Sequence, residues 1–188
     1  MANLKKTLGR ELALAPVPAV LISCCTPEGK PNLITLAWVG VVCSEPPMVA
    51  IAIRPSRYSY GLVKTTGEFV VNVPSADQAK AVDLCGVKSG RDQDKFALAG
   101  FTPGLAAKVK PPLVTECPVN LECVVRQTLV LGTHELFIGE VVAVEASEEV
   151  FDEAGKLDWD KVNPLGFLAG EYWSSGEQVG DYGFSVRK

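Results

Sequence analysis

"NLITLAWVGVVCSEPPMVAIAIRPSRYSYGLVKTTGEFVVNVP", residues 32–74, is the stretch whose reading decides the fold. Its opening, 32–44, is rich in Val, Ile, Thr and Trp, which suit a pleated, half-buried surface, and reads as one strand. Glu45-Pro46-Pro47 breaks that run, and "MVAIAIR" (48–54) resumes it as another strand. Then the composition changes at once to Arg54, Ser56, Arg57, Tyr58, Ser59 and Tyr60. Ser56 or Ser59 can cap a helix there, which Tyr60, Val63 and Lys64 continue to Gly67. "EFVVNV" (68–73) is a further strand, ended by Pro74.

Working outward, "PAVLISCCT" (18–26) reads as the first strand, closed by the turn residues "PEGKPN". The short loops between the first three strands predict an antiparallel meander. Downstream, Ser75 caps a helix in "ADQAKAVDLCGV", and "KSGRDQDKFALAG" (88–100) is a polar loop running into a helical turn. "VNLECVVRQTLVL" and "LFIGEVVAVEA" flank "GTHE" (132–135), a hairpin signal. Leu121, Cys123 and Val125 alternate with Glu122 and Arg126, so the Glu122 face is expected to be the wetter one. An aromatic, glycine-containing tail, "NPLGFLAGEYWS", follows. Six or more strands with inserted helices predict a β-barrel with helical decoration.

The 188 residues suit one domain with a full core, and no linker or repeat divides them. A net charge of −4 and a pI near 5.1 argue against a nucleic-acid partner, which needs a basic stripe. The six cysteines form no C-x2-C pair, and the one histidine, His134, has no second imidazole, so no metal site is expected. Buried free thiols are expected instead, which suit a reducing cytoplasm. Lys5, Lys6 and Arg10 before "LALAPVPAVLISC" imitate a signal peptide, but Pro16 and Pro18 interrupt the run and Glu11 stands at its entrance. No segment approaches the roughly 20 apolar residues that span a bilayer.

Two polar corners carry the chemistry. Arg54, Ser56, Arg57, Ser59 and Tyr60 crowd a strand end and a helix start, where unpaired N–H groups suit a phosphate. Lys88, Ser89 and Arg91 surround Gly90, which permits close approach. Composition alone leaves two readings open, an anion site or two solvated turns. "CGVKSGRD" lacks the order of a Walker loop, "DQDKF" lacks the EF-hand glycine, and one histidine defines no triad.

Residues 32–74, "GVKSGRDQDKF" (86–96) and "HELFIGEVVAVE" (134–145) together resemble the flavin reductase-like proteins, in particular the flavoredoxin-type branch, across about residues 12–172. The resemblance implies a mainly β fold, a six-stranded antiparallel Greek-key split barrel with a few inserted helices, forming one FMN-binding domain over 1–188. It also implies a homodimer with FMN near the subunit boundary. By position, Thr35, Leu36, Ala37 and Trp38 would lie along the isoalloxazine edge. Arg54 and Ser56, with Ser59 and Tyr60, would meet the ribityl chain or phosphate, and Lys88 and Ser89 would close over it. Trp38 would either stack on the ring or pack in the core. Asn72 would either bond the flavin or satisfy neighbouring backbone, and Arg57 and Tyr58 would face solvent. Cys43 and Ser44 would fall near the flavin. His134 would stand on the nicotinamide side as the one catalytic candidate, or serve as a satisfied hairpin residue.

The activity implied is transfer of hydride from NAD(P)H, a transient reductant, to FMN and onward to a flavin, metal or protein acceptor. No G-x-G-x-x-G is present, so no separate nicotinamide domain is expected. The alternative is an FMN electron carrier that serves a protein partner without NAD(P)H oxidase activity of its own. A third reading is a barrel for another phosphorylated heterocycle.

Overall fold

Near-continuous apolar runs let the first long strands bury both faces. The computed structural model describes residues 4–187. Strand β1 (Val17–Pro18) leads into β2 (Val20–Cys25), which is buried throughout. Val20, Ile22 and Cys24 face one apolar cluster, and Leu21 faces another. β3 (Pro31–Leu36) pairs with β2, β4 (Val39–Ser44) with β5 (Pro47–Ile53), all antiparallel. Helix α1 (Tyr58–Thr66) ends at Gly67, whose φ of 69° is the left-handed cap that glycine adopts without strain. β6 (Glu68–Val73), α2 (Ala79–Val87) and α3 (Lys95–Ala99) follow. Two short strands, β7 (Pro103–Gly104) and β8 (Leu113–Val114), precede the long hairpin of β9 (Val119–Leu131) and β10 (His134–Ala146). α4 (Trp159–Val162), β11 (Leu165–Leu168) and β12 (Glu171–Ser174) complete the elements that matter here.

The main sheet has the order β3-β2-β6-β9-β10-β5-β4, seven strands where six were expected. The extra strand comes from the stretch 32–44, which is two strands rather than one, bent at Ala37–Trp38. Both antiparallel pairings of the expected meander are present, β2 with β3 and β4 with β5, but the bend splits its middle strand between the two. β3 and β4 do not pair; they are the two edges of the sheet, and β2 pairs onward with β6 while β5 pairs with β10. The sheet curls, and one cluster draws on Ile22, Ile34, Ile51, Phe69, Cys123 and Phe137 from six of its strands. Burying each such aromatic side chain contributes about 1.5–3 kcal/mol. A second cluster packs α2 and α3 (Val82, Cys85, Phe96) on the outer side of β2 and β3.

Glu122 corrects the expectation of a wet face: it is fully buried. The chain at 107–109 crosses over it, and its carboxylate accepts the N–H groups of Ala107 and Lys108 at 2.6 Å and Val109 at 2.9 Å. Asn72 is structural. Its amide donates to the Leu21 carbonyl at 3.0 Å, and its oxygen accepts from Val114 N and Asn120 Nδ2, each at 2.8 Å. All six cysteines are free thiols, five of them buried and Cys43 half-exposed. Among the described residues no helix is long and apolar enough to cross a membrane.

Candidate functional site

The seam between the sheet's two edges is where a cleft opens. A cavity of about 380 Å³ lies along it, within the roughly 300–1,000 Å³ usual for small-molecule sites. Its floor is the strand-to-strand bend, Thr35, Leu36, Ala37 and Trp38; Arg54 and His134 stand at one side, Asp83, Gly86 and Val87 of α2 at another. Phe167 and Tyr172, from the β11–β12 hairpin, close the rest. A second cavity of about 160 Å³ continues from it, sharing Ile34, Arg57, Gly86 and Val87. Ser56, Ser59, Lys88, Ser89, Gly90, Arg91 and Lys95 complete that end.

The two polar corners of the sequence therefore meet at one place. Arg57, which precedes α1, makes no side-chain cap bond; its carbonyl takes the Tyr60 N–H at 3.1 Å, and the N–H groups of Tyr58 and Ser59 are left for another acceptor. The loop 88–91 is laid against that helix start. The Arg91 guanidinium sits 5.7 Å from the Tyr58 ring centroid and donates to the Ser56 carbonyl at 3.4 Å. Its close approach requires glycine: a Cβ on Gly90 would stand 1.8 Å from Asn32 Oδ1, and one on Gly86 would stand 3.3 Å from Thr35 Cβ. Four cations, Arg57, Lys88, Arg91 and Lys95, line the smaller cavity, and no carboxylate does.

The wider cavity is chemically different. Trp38 is 49% exposed, so it is not core packing, and its ring lies parallel to that of His134 with centroids 6.2 Å apart. Thr133 Oγ1 is 2.9 Å from His134 Nδ1, and Arg54 Nε donates to His134 Nε2 at 3.4 Å. Burial and the adjoining Arg54 cation both push the His134 pKa below its usual value, so the imidazole is neutral at pH 7. Thr35 commits its hydroxyl to the Val82 carbonyl, tying β3 to α2, so that hydroxyl is not offered to the cleft. Across the cleft, burial and the neighbouring Asp83 carboxylate push the Tyr172 phenol up to about 12.

Several positions differ from the sequence reading. Arg54 lies with His134 on the wider cavity and not on the cationic one. Arg57 is exposed as expected, yet it lines both cavities. Only a turn separates the two, closed by Arg57 N–H on the Arg54 carbonyl at 2.9 Å; Arg54 reaches the wider cavity alone, and Arg57 stands where the two cavities join. Tyr60 lines neither cavity; its hydroxyl donates to Glu135 at 2.5 Å and accepts from Lys64 at 2.8 Å, while its ring edges onto Phe137. Ser59 lines the smaller cavity, but it is buried and accepts from Asn32 Nδ2 at 2.8 Å. Cys43 lines none of the cavities, and its thiol donates to the Glu45 carbonyl at 3.3 Å. Asp83, Lys95, Phe167 and Tyr172 were missed. Aromatic residues flanking Ala169-Gly170 were the available sign for the last two, and a lysine among the apolar residues "FALA" for Lys95.

The sequence matches the flavin reductase like domain over residues 12–175. An uncharacterised protein of Archaeoglobus fulgidus is 39% identical over 129 residues, 69% of this chain and 72% of that one. Among solved structures, the flavoredoxin of Desulfovibrio vulgaris superposes with a TM-score of 0.91 at 32% identity, covering 97% of this chain and 99% of that one. Flavoredoxin from Methanosarcina acetivorans gives 0.89 at 32% identity, covering 97% of each. The split-barrel fold expected from the resemblance is thus the fold of the chain.

Proposed function

The chain belongs to the flavin reductase-like family, and from that membership we propose that it binds FMN along this cleft and works as an NAD(P)H-dependent oxidoreductase. One observation carries the reading: the cleft is polarised, acid-free and four times cationic at its narrow end, while aromatic and apolar side chains (Leu36, Ala37, Trp38, Phe167, Tyr172) form much of its wide end beside Arg54 and Asp83. A planar ring joined to a phosphate monoester divides its chemistry in the same way, so the residues fit the group. Bound FMN would supply two-electron chemistry with a nicotinamide and electron delivery to a flavin, metal or protein.

Arg57, Lys88, Ser89, Ser56 and the open first turn of α1 would hold the phosphate, the guanidinium in bidentate fashion. Main chain at Thr35–Trp38 would meet the ring edge, with Leu36 and Ala37 as its apolar seat. Both nitrogens of His134 are engaged by Thr133 and Arg54. It therefore acts by holding Trp38 and Arg54 in place beside the nicotinamide, without moving a proton itself. No acid or base is needed for the transfer; placing two rings in contact is the work.

Exposed apolar side chains on β4 and at the end of β9, Val41, Val42, Leu129, Val130 and Leu131, support a homodimer that covers part of them. Five buried free thiols suit a reducing cytoplasm. The family match over 12–175 supports treating the whole chain as one flavin-binding unit.

The test begins with the visible spectrum of the purified protein, followed by anaerobic titration with NADH and NADPH. Steady oxidation with free flavin or ferric iron as acceptor supports the enzyme. A preparation that stays colourless in excess FMN overturns the cofactor. Bound FMN reduced reversibly by dithionite but never by NAD(P)H selects the second reading, an electron carrier, which the 32% identity with two flavoredoxins favours.

A further inference from the structure

Lys95 opens α3 and is 4% exposed. Its ammonium donates to the Cys85 carbonyl at 2.6 Å, and no ion pair among the described residues includes it. The adjacent Asp94 gives its carboxylate to the N–H groups of Phe96 and Ala97 at 3.0 and 3.2 Å. An ammonium has three donors, so two remain, and Lys95 forms part of the wall of the smaller cavity. Lysine is almost never so buried unless it is paired. Burial, with the Arg57 cation adding to it, holds its pKa below the ordinary lysine range, and the thiols of Cys85 and Cys24, each pushed up to about 11 by burial, supply no counter-charge at neutral pH. A cation thus stands at the inner wall of an acid-free cavity, facing Arg57, Lys88 and Arg91 on the solvent side.

We propose that Lys95 is the inner counter-charge for the ligand's phosphate and so the residue that selects a phosphorylated flavin over an unphosphorylated one. This rests on the FMN reading above. A competing role is purely structural, because Cys85 lies in the last turn of α2, where a cation satisfies the helix end.

Lys95→Gln separates the two, since the amide keeps a donor for Cys85 while the charge is gone. Wild type and variant are titrated with FMN and with riboflavin, which has the same ring and no phosphate, following flavin fluorescence. Lys95→Gln is expected to weaken FMN by about 10- to 100-fold, the range for a charged hydrogen bond, and riboflavin by less than about twofold. Lys95→Arg, which keeps the charge, is expected to retain the preference for FMN even if Lys95→Gln fails to fold. Equal weakening of both ligands, no change in either, or an arginine variant that folds without the preference overturns the proposal. Wild-type protein that binds riboflavin but shows no preference for FMN also overturns it. Wild-type protein that binds neither flavin refutes the cofactor reading itself, and the proposal falls with it.

Discussion

Replacing Gly90 by alanine tests the packing that shapes the narrow end of the cleft. The added Cβ would stand 1.8 Å from Asn32 Oδ1, 2.8 Å from Asn32 Cγ and 3.0 Å from Tyr58 Cδ1. An ordinary contact is roughly 3.5 Å, so one partner must retreat by more than about an ångström. Asn32 is 4% exposed and cannot swing into water, and its amide bond to Ser59 is part of the same wall. Overpacking costs about 1–3 kcal/mol and the lost hydrogen bond about 1 kcal/mol, together about 2–4 kcal/mol. At roughly 2–4 °C per kcal/mol for a chain of this length, the Tm is expected to fall by about 4–16 °C. FMN affinity should fall with it, because Lys88, Ser89 and Arg91 ride on the displaced loop. Gly61→Ala is the control. It lies inside α1 with nothing within 4 Å of an added Cβ, and should stabilise by about 0.5–1 kcal/mol. Thermal melts and FMN titrations of both variants decide the matter. If Gly90→Ala melted with Gly61→Ala and bound FMN as wild type does, the close approach of loop and strand would be refuted.

The division between the two arginines is open to the same titration. Arg57→Ala is expected to weaken FMN by about 1.5–3 kcal/mol while leaving riboflavin nearly unchanged, whereas Arg54→Ala should change both ligands by one similar factor. Tyr60→Phe removes a hydroxyl bonded to Glu135 and Lys64, so FMN affinity should stay within about twofold by the same assay. Glu145 is pushed up to about 7 by burial and by its bond to the Glu122 carboxylate. A carboxyl raised in the folded state contributes stability that is present in acid and lost as pH rises from the unfolded value toward 7. Glu145→Gln should therefore gain stability over wild type on going from pH 5 to pH 8, read as the difference between their Tm curves. A constant difference across that range would refute the shared proton.

How much of this is legible in the sequence depends on whether the deciding contact is local. The β9–β10 hairpin is legible because a Gly132–Thr133 turn sits between two alternating apolar runs. Both cationic corners are legible because each concentrates cations and hydroxyls within a few residues. The bend at Ala37–Trp38 is not, since neither glycine nor proline marks it, and the pattern on either side is equally strand-like. Arg54 and Arg57 are three residues apart, and the turn between them leaves Arg54 on the wider cavity alone while Arg57 reaches both. The burial of Glu122 rests on three N–H groups from a segment 13 to 15 residues away, which no local pattern encodes.

The bend explains why the site is where it is. A curled sheet that does not close has two edges, and open edges carry main-chain groups that need a partner. Here the two edge strands are consecutive in the chain, so the corner joining them must pass across the opening rather than along a ladder. One of its groups is met at once, the Trp38 carbonyl accepting the Ala52 N–H at 2.9 Å. A flat ligand with donors and acceptors along its rim can meet others without requiring another strand. Binding at this seam then joins the two edges of the sheet, and the whole barrel should gain stability as the site fills. With FMN at 100 times its Kd the gain is about 2.7 kcal/mol. Riboflavin at the same multiple of its own Kd should give the same gain, because linkage counts occupancy and not charge.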